Sequence, residues 1–148
     1  MKRTRRILHA SDFSGASRPA FDRALALAKT GRAALTIVHV ISPIVPMVGD
    51  GYVSPQVVEE LDRRARAYAE KEMAKLVAKA KHAGVRATSL VVEGTPADRI
   101  VRAAKARRAD MIVMGTHGRG AVARFFLGSV AGRVVATAAC PVLTVKGR

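Results

Sequence analysis

The stretch Asp110–Ser129, "DMIVMGTHGRGAVARFFLGS", decides how this chain is read. It opens on a short apolar run, Asp110–Met114, and then places glycines at 115, 118, 120 and 128, with Ser129 after the last. A solvated loop needs few such backbone-permissive residues. A strand that passes into a glycine loop and then into a helix brings backbone N–H groups and a helix N-terminus to one place, and the usual ligand there is a phosphate. Gly128–Ala138 reads as that helix, with Val130, Val134, Val135 and Ala138 inward. The amides of Gly128 and Ser129 and the Ser129 hydroxyl are the candidate donors.

Outward from this stretch the pattern alternates. Arg5–Ala10 is a first strand, and Arg18–Thr30 is a helix with Phe21, Ala24, Leu25 and Ala28 on one face, closed by Gly31. Ala34–Ile41 is β-branched and almost continuously apolar, as in a strand covered on both faces. Residues 42–55, with three prolines and two glycines, read as a long loop, either a lid or a tolerated insertion. Gln56–His82 is a long helix stopped by Gly84, and Arg86–Glu93 is a third strand. Thr95, Pro96 and Asp98 predict a capped helix start, with Thr95 as N-cap and Asp98 reaching back in a capping box; that helix runs to about Arg107. Asp110–Met114 is the fourth strand and Pro141–Lys146 the fifth. Strands alternating with helices predict an α/β fold, a five-stranded parallel sheet with helices on both faces. The whole chain, 1–148, is expected to form one domain.

Composition narrows the function. Apolar residues make up 49% and aromatics 4%, so small aliphatic side chains must fill the core. No apolar run approaches a membrane span, and the N-terminal apolar patch is too short for a secretion signal, so a cytoplasmic location is expected. The single cysteine, Cys140, cannot form an internal disulfide and reads as a small core residue. The net charge is +15, and no acidic residue follows Asp110. This charge suits a polyanionic partner or a merely repelling surface. Stacking platforms are scarce and no recognition motif is present, so nucleic acid is not the expected partner.

Two familiar phosphate motifs fail. No Gly-x-x-x-x-Gly-Lys-Ser/Thr string exists, and Gly118-x-Gly120-x-x-Ala123 follows the fourth strand with no acid beyond it for a ribose. The spacing that matches is Gly115, two residues, Gly118, nine residues, Gly128, Ser129. With "ILHASDFS", "IVHVI", "VVEGTPADRIV" and "CPVLTVK" in order along the chain, the sequence resembles the universal stress protein family in its ATP-binding branch. The resemblance covers essentially the whole chain.

The resemblance implies roles by position. Asp12 would contact the adenosine part of ATP, and the backbone at Val40 would read the adenine edge. Gly115, Gly118, Gly128, Ser129 and Val130 would cradle the phosphates, with a divalent ion such as Mg²⁺ accompanying them. Arg119 in the glycine loop would support phosphate charge, as would His117 and Arg124, all of which could equally be solvated. Ala10, where some nucleotide-binding relatives carry Pro, and Met114 complete the candidate set. A homodimer through the last strand, Pro141 to Val145, is also implied. In a sheet of order 3-2-1-4-5 Asp12 and Gly115 end adjacent strands at the topological switch point, where such sheets bind ligands. Asp12 could also serve as a local turn cap. His9 and His39 alternate with apolar residues and read as structural.

No Ser/His/Asp set, paired carboxylates or metal-ligand cluster accompanies the glycine loop, so the chain is expected to bind ATP with little or no hydrolysis and not to act as an enzyme. Two alternatives stay open: a slow ATPase or phosphotransferase on the same cradle, and a basic nucleic-acid-binding protein.

Overall fold

The computed structural model describes residues 3–44, 51, 53–118 and 127–147. Its strands are β1 (Arg6–Ala10), β2 (Ala34–Ile41), β3 (Ala87–Glu93), β4 (Met111–Gly115) and β5 (Val142–Val145). Its helices are α1 (Arg18–Gly31), α2 (Pro55–His82), α3 (Pro96–Ala106) and α4 (Ser129–Thr137). All pairings are parallel and the sheet order is β3-β2-β1-β4-β5, as expected. Each strand lies within a residue or two of its predicted span.

Alternation along the central strands builds two separate cores. Ile7, Leu35, Ile37 and Val113 point to one face and pack with Phe21, Ala24 and Ala28 of α1 and Met73 and Ala80 of α2. Leu8, Val38, Ile112 and Met114 point to the other, against Ile100 and Ala104 of α3 and Ala131 and Val134 of α4. Alanines dominate the helix faces because a strand surface of Ile, Val and Leu leaves little room.

The helices that feed β2, β3 and β4 end in one motif. Ala33, Val85 and Ala109 donate to the carbonyls of Ala28, Ala80 and Ala104 at 2.8, 3.0 and 2.8 Å. The residue before each donor is left-handed: Arg32 at φ 53°, Gly84 at 82° and Arg108 at 51°. This is the bonding of a Schellman turn, which favours glycine at that residue. The expectation that Gly31 closes α1 is therefore shifted by one position: Gly31 is helical and Arg32 makes the turn. Thr95 does stand at the start of α3, but its side chain makes no capping bond. The capping box fails because Asp98 turns outward to Arg133 of α4, 3.1 Å away.

The two edges of the sheet differ in charge. Arg3 donates to the Gly31 carbonyl, Arg6 Nε donates to the Arg108 carbonyl, and the Asp110 carboxylate accepts from the amides of Arg5 and Arg6, all at 2.9–3.0 Å. These bonds tie the starts of β1 and β4 to the ends of α1 and α3. The result is an amino edge crowded with exposed cations around one carboxylate.

His9 sits in the middle of β1, fully buried, and faces Phe21 at 5.6 Å between ring centroids. Its Nδ1 lies 3.0 Å from the Val113 carbonyl oxygen and so donates to it, leaving a buried Nε2 without a partner. Burial lowers its pKa from 6.5 to about 4, against smaller opposing contributions from the Val113 bond and from Asp12 and Asp22. The unfolded chain therefore binds a proton near pH 6.5 that the folded chain refuses until about pH 4. Stability from this residue is complete above pH 6.5 and falls away toward pH 4, by roughly 3 kcal/mol in total. Denaturant unfolding from pH 7 to 4.5 should show a steeper loss in the wild type than in His9→Gln; equal slopes would remove this role.

Candidate functional site

The carboxyl edge of the sheet opens a crevice between β1 and β4. The chain leaving β1 turns to α1 on one face, while the chain leaving β4 reaches α4 on the other. No side chain has to be moved to create this gap, because it follows from the strand order. A cavity of about 750 Å³ fills it, within the usual range for small-molecule sites.

The structure brings together nearly all the residues singled out from the sequence. Ala10, Asp12, Val40, Met114, Gly115, Gly118, Gly128, Ser129 and Val130 all line this one cavity. Arg119 and Arg124 lie outside the described residues. Ser11, Ser17, Ser42 and His39 line the cavity as well, although sequence reasoning gave them no binding role. His39 was read as structural, and in part it is: its Nδ1 is 2.8 Å from the Ser11 carbonyl, and its ring stacks on Phe13 at 4.2 Å.

Two expectations change at atomic detail. The Gly128 amide is not a free donor, because it is spent on the Thr116 carbonyl at 2.7 Å. The first bond inside α4 is Gly132 N–H to the Gly128 carbonyl, so the amides of Ser129, Val130 and Ala131 have no partner within the helix. These three residues line the cavity at the positive end of the helix dipole.

The second change concerns what the glycines accommodate. A Cβ at Gly118 would stand 2.6 Å from Asp12 Oδ2, and one at Gly128 would stand 3.0 Å from the Thr116 carbonyl oxygen. They let the loop after β4 close onto Asp12 and onto its own backbone. The other oxygen of Asp12, Oδ1, accepts from the Ser14 amide at 3.0 Å and from the Ser14 hydroxyl at 2.5 Å. Asp12 is thus a turn cap and a cavity wall at once. A single 3-10 turn, Gly15–Ser17, then leads into α1.

Asp12 is the one carboxylate among the lining residues, and no cluster of three His, Cys, Asp or Glu residues forms among the described residues. A Mg²⁺ ion entering with a triphosphate would therefore take its ligands mainly from phosphate oxygens and water, which suits that ion.

The glycines of the loop and of the helix predict opposite signs. Gly132 has open space around its missing Cβ and lies inside α4, so Gly132→Ala should raise stability by up to about 1 kcal/mol. Gly128→Val must push on the Thr116 carbonyl and should lower it by about 1–3 kcal/mol. Thermal unfolding of both variants checks this, and two effects of the same sign would contradict it.

Comparison with known proteins gives the same answer along the whole chain. A family model described as the universal stress protein family matches residues 3–146. A universal stress protein of Thermus aquaticus is 38% identical over 140 residues, spanning 95% of this chain and 97% of that one. UspA of Lactobacillus plantarum superimposes with a TM-score of 0.85 at 26% identity, covering 99% of this chain and 100% of that one. A universal stress protein solved in complex with cAMP superimposes with a TM-score of 0.72 at 26% identity, again over 99% and 100% of the two chains. The crevice, the glycine loop and these similarities have one common meaning: the chain belongs to the universal stress protein family.

Proposed function

We propose that this protein is an adenine-nucleotide-binding regulatory module, with ATP, accompanied by Mg²⁺, as its ligand. The observation that carries the reading is the convergence of the start of α4 and of Gly115 and Gly118 on the cavity that Asp12 and Val40 also line. The amides of Ser129, Val130 and Ala131 would meet phosphate, where the helix dipole adds to their donors. Asp12 would accept from ribose hydroxyls; a carboxylate has lone pairs to spare beyond those that hold Ser14. The backbone of Val40, at the mouth of β2, would meet the adenine edge. That a related protein was solved with cAMP supports an adenine compound as the ligand class.

Catalysis is not part of the proposal. Hydrolysis needs a group that orients water and a second acid that holds the metal. Asp12 would be committed to ribose and to Ser14, and His117 Nδ1 lies 3.1 Å from Thr116 Oγ1. The alternative, a slow ATPase, would show as turnover well above spontaneous hydrolysis.

Titration calorimetry with Mg²⁺–ATP should give saturable one-site binding. Asp12→Asn keeps an acceptor for Ser14 and loses the charge, and should weaken binding by about 10-fold or more. Neither protein should hydrolyse ATP above background. Unchanged affinity in Asp12→Asn would remove the ribose role.

The proposed assembly is a cytoplasmic homodimer through the outer edge of β5. The Pro141 and Val145 carbonyls accept from Ile112 and Thr116 of the β4 segment, so the amides of Val142 and Thr144 point away from the sheet. Such an edge is open to a second strand. Light scattering should report a dimer, and Thr144→Pro, which removes one outward donor, should report a folded monomer. A monomeric wild type would contradict the assembly.

A further inference from the structure

The cations of the amino edge have no part in the cavity, which lies at the opposite edge of the sheet. Arg5 and Arg6 stand at the start of β1, Arg86 precedes β3, and Arg107 and Arg108 precede β4; all are exposed. Arg32 joins them before β2. Helix dipoles account for Lys29, Lys81 and Lys105, which lie in the last turns of α1, α2 and α3. They do not account for Arg5, Arg6 and Arg86, which stand at strand starts and not at helix ends. Arg32, the C-cap of α1, and Arg108, one residue past the C-cap of α3, share those helix ends, yet both are left-handed at positions where glycine avoids a cost of about 1 kcal/mol. Arginine stands where backbone geometry favours glycine.

We propose that this edge binds the phosphate backbone of a nucleic-acid duplex without reading its sequence. The arginines sit on four adjacent strand starts in the order β3, β2, β1, β4, a row roughly 14 Å long at the usual strand spacing. Two of the guanidiniums, of Arg3 and Arg6, are anchored on backbone carbonyls, which lowers the cost of presenting the rest of each fork. Arginine forks match phosphate oxygens in pairs. A duplex carries one charge per roughly 1.7 Å of axis, so this row meets several phosphates at once. The described aromatic residues, Phe13, Phe21 and Tyr68, lie away from this edge on the α1–α2 face, so unstacked bases find no platform. Among the described residues the exposed large apolar ones are Ile44, Val53, Val57, Leu61, Tyr68 and Val135, in the segment after β2, the first half of α2 and α4. An anionic bilayer thus finds charge at this edge but, among the described residues, no apolar anchor. The scarcity of aromatics, which argued from sequence against nucleic acid, bears on single strands and not on a duplex backbone.

Fluorescence anisotropy of a labelled 20-base-pair DNA duplex of arbitrary sequence tests this. Binding should appear at 50 mM salt, with a log–log salt slope of about −4, the signature of four to five phosphate contacts. The triple variant Arg5→Gln, Arg86→Gln, Arg107→Gln should weaken binding at least 10-fold and flatten the slope by about 3, with an unchanged melting temperature. The same three positions as Lys should retain most of the binding. Saturating Mg²⁺–ATP at matched ionic strength should leave duplex affinity unaltered, because the cavity faces the other way. The proposal is overturned by no binding at 50 mM salt, by competition from ATP, by a triple Gln variant that binds like wild type, by a single strand bound more tightly than the duplex, or by phosphatidylserine vesicles bound more tightly at equal phosphate.

Discussion

The structure depends on the seam between β1 and β4. These strands lie about a hundred residues apart in sequence, yet they pair in parallel from Ile7↔Met111 to Ala10↔Met114. Three kinds of bond hold the seam besides the ladder. The Asp110 carboxylate pins the amides of Arg5 and Arg6, the Asp110 amide donates to the Arg6 carbonyl, and His9 donates to the Val113 carbonyl from inside the core. An extended N-terminal strand has high conformational entropy when free, so closing it onto a distant partner needs this reinforcement. Once it is closed, the outgoing connections of β1 and β4 diverge to opposite faces, and the crevice exists.

That single geometric fact gives the molecule a polarity. Helix N-termini and the glycine loop gather at the carboxyl edge, and helix C-termini gather at the amino edge. Two opposite electrostatic requirements follow. The cavity at the carboxyl edge offers donors and a positive dipole end with one acid among its lining residues, Asp12. The amino edge offers carbonyl-rich helix ends, which tolerate the dense arginines placed there. A charge of +15 is therefore not an even coat; part of it is sorted onto the edge farthest from the cavity.

The α/β alternation was legible in the sequence because its strands are β-branched and its helices amphipathic, two periods that cannot be confused over such lengths. The cavity residues were legible because glycines at fixed spacing after a strand have few other uses. What escaped was set by tertiary bonds. Local preference favours Gly31 over Arg32 as the left-handed residue; it is overridden when Ala33 must reach the Ala28 carbonyl while entering β2. The failed capping box at Asp98 depends on Arg133, thirty-five residues away in sequence and adjacent only in the fold. The glycines were read as space for a ligand, and the structure adds that Gly118 and Gly128 also make space for Asp12 and Thr116. Ser17 and His39 enter the cavity through a 3-10 turn and a ring stack that have no periodic signal.

The central claim is that the cavity at the β1–β4 switch point is built for an adenine nucleotide. Its most direct test is to denature freshly purified protein, identify any released small molecule by chromatography and mass, and then titrate the emptied, refolded protein with Mg²⁺–ATP. The account predicts an adenine nucleotide in the extract, or saturable binding by the emptied protein, at about one per chain. An empty extract together with no binding of added ATP would mean that the glycine loop is only a way of closing β4 onto Asp12, and the account of the site would fail.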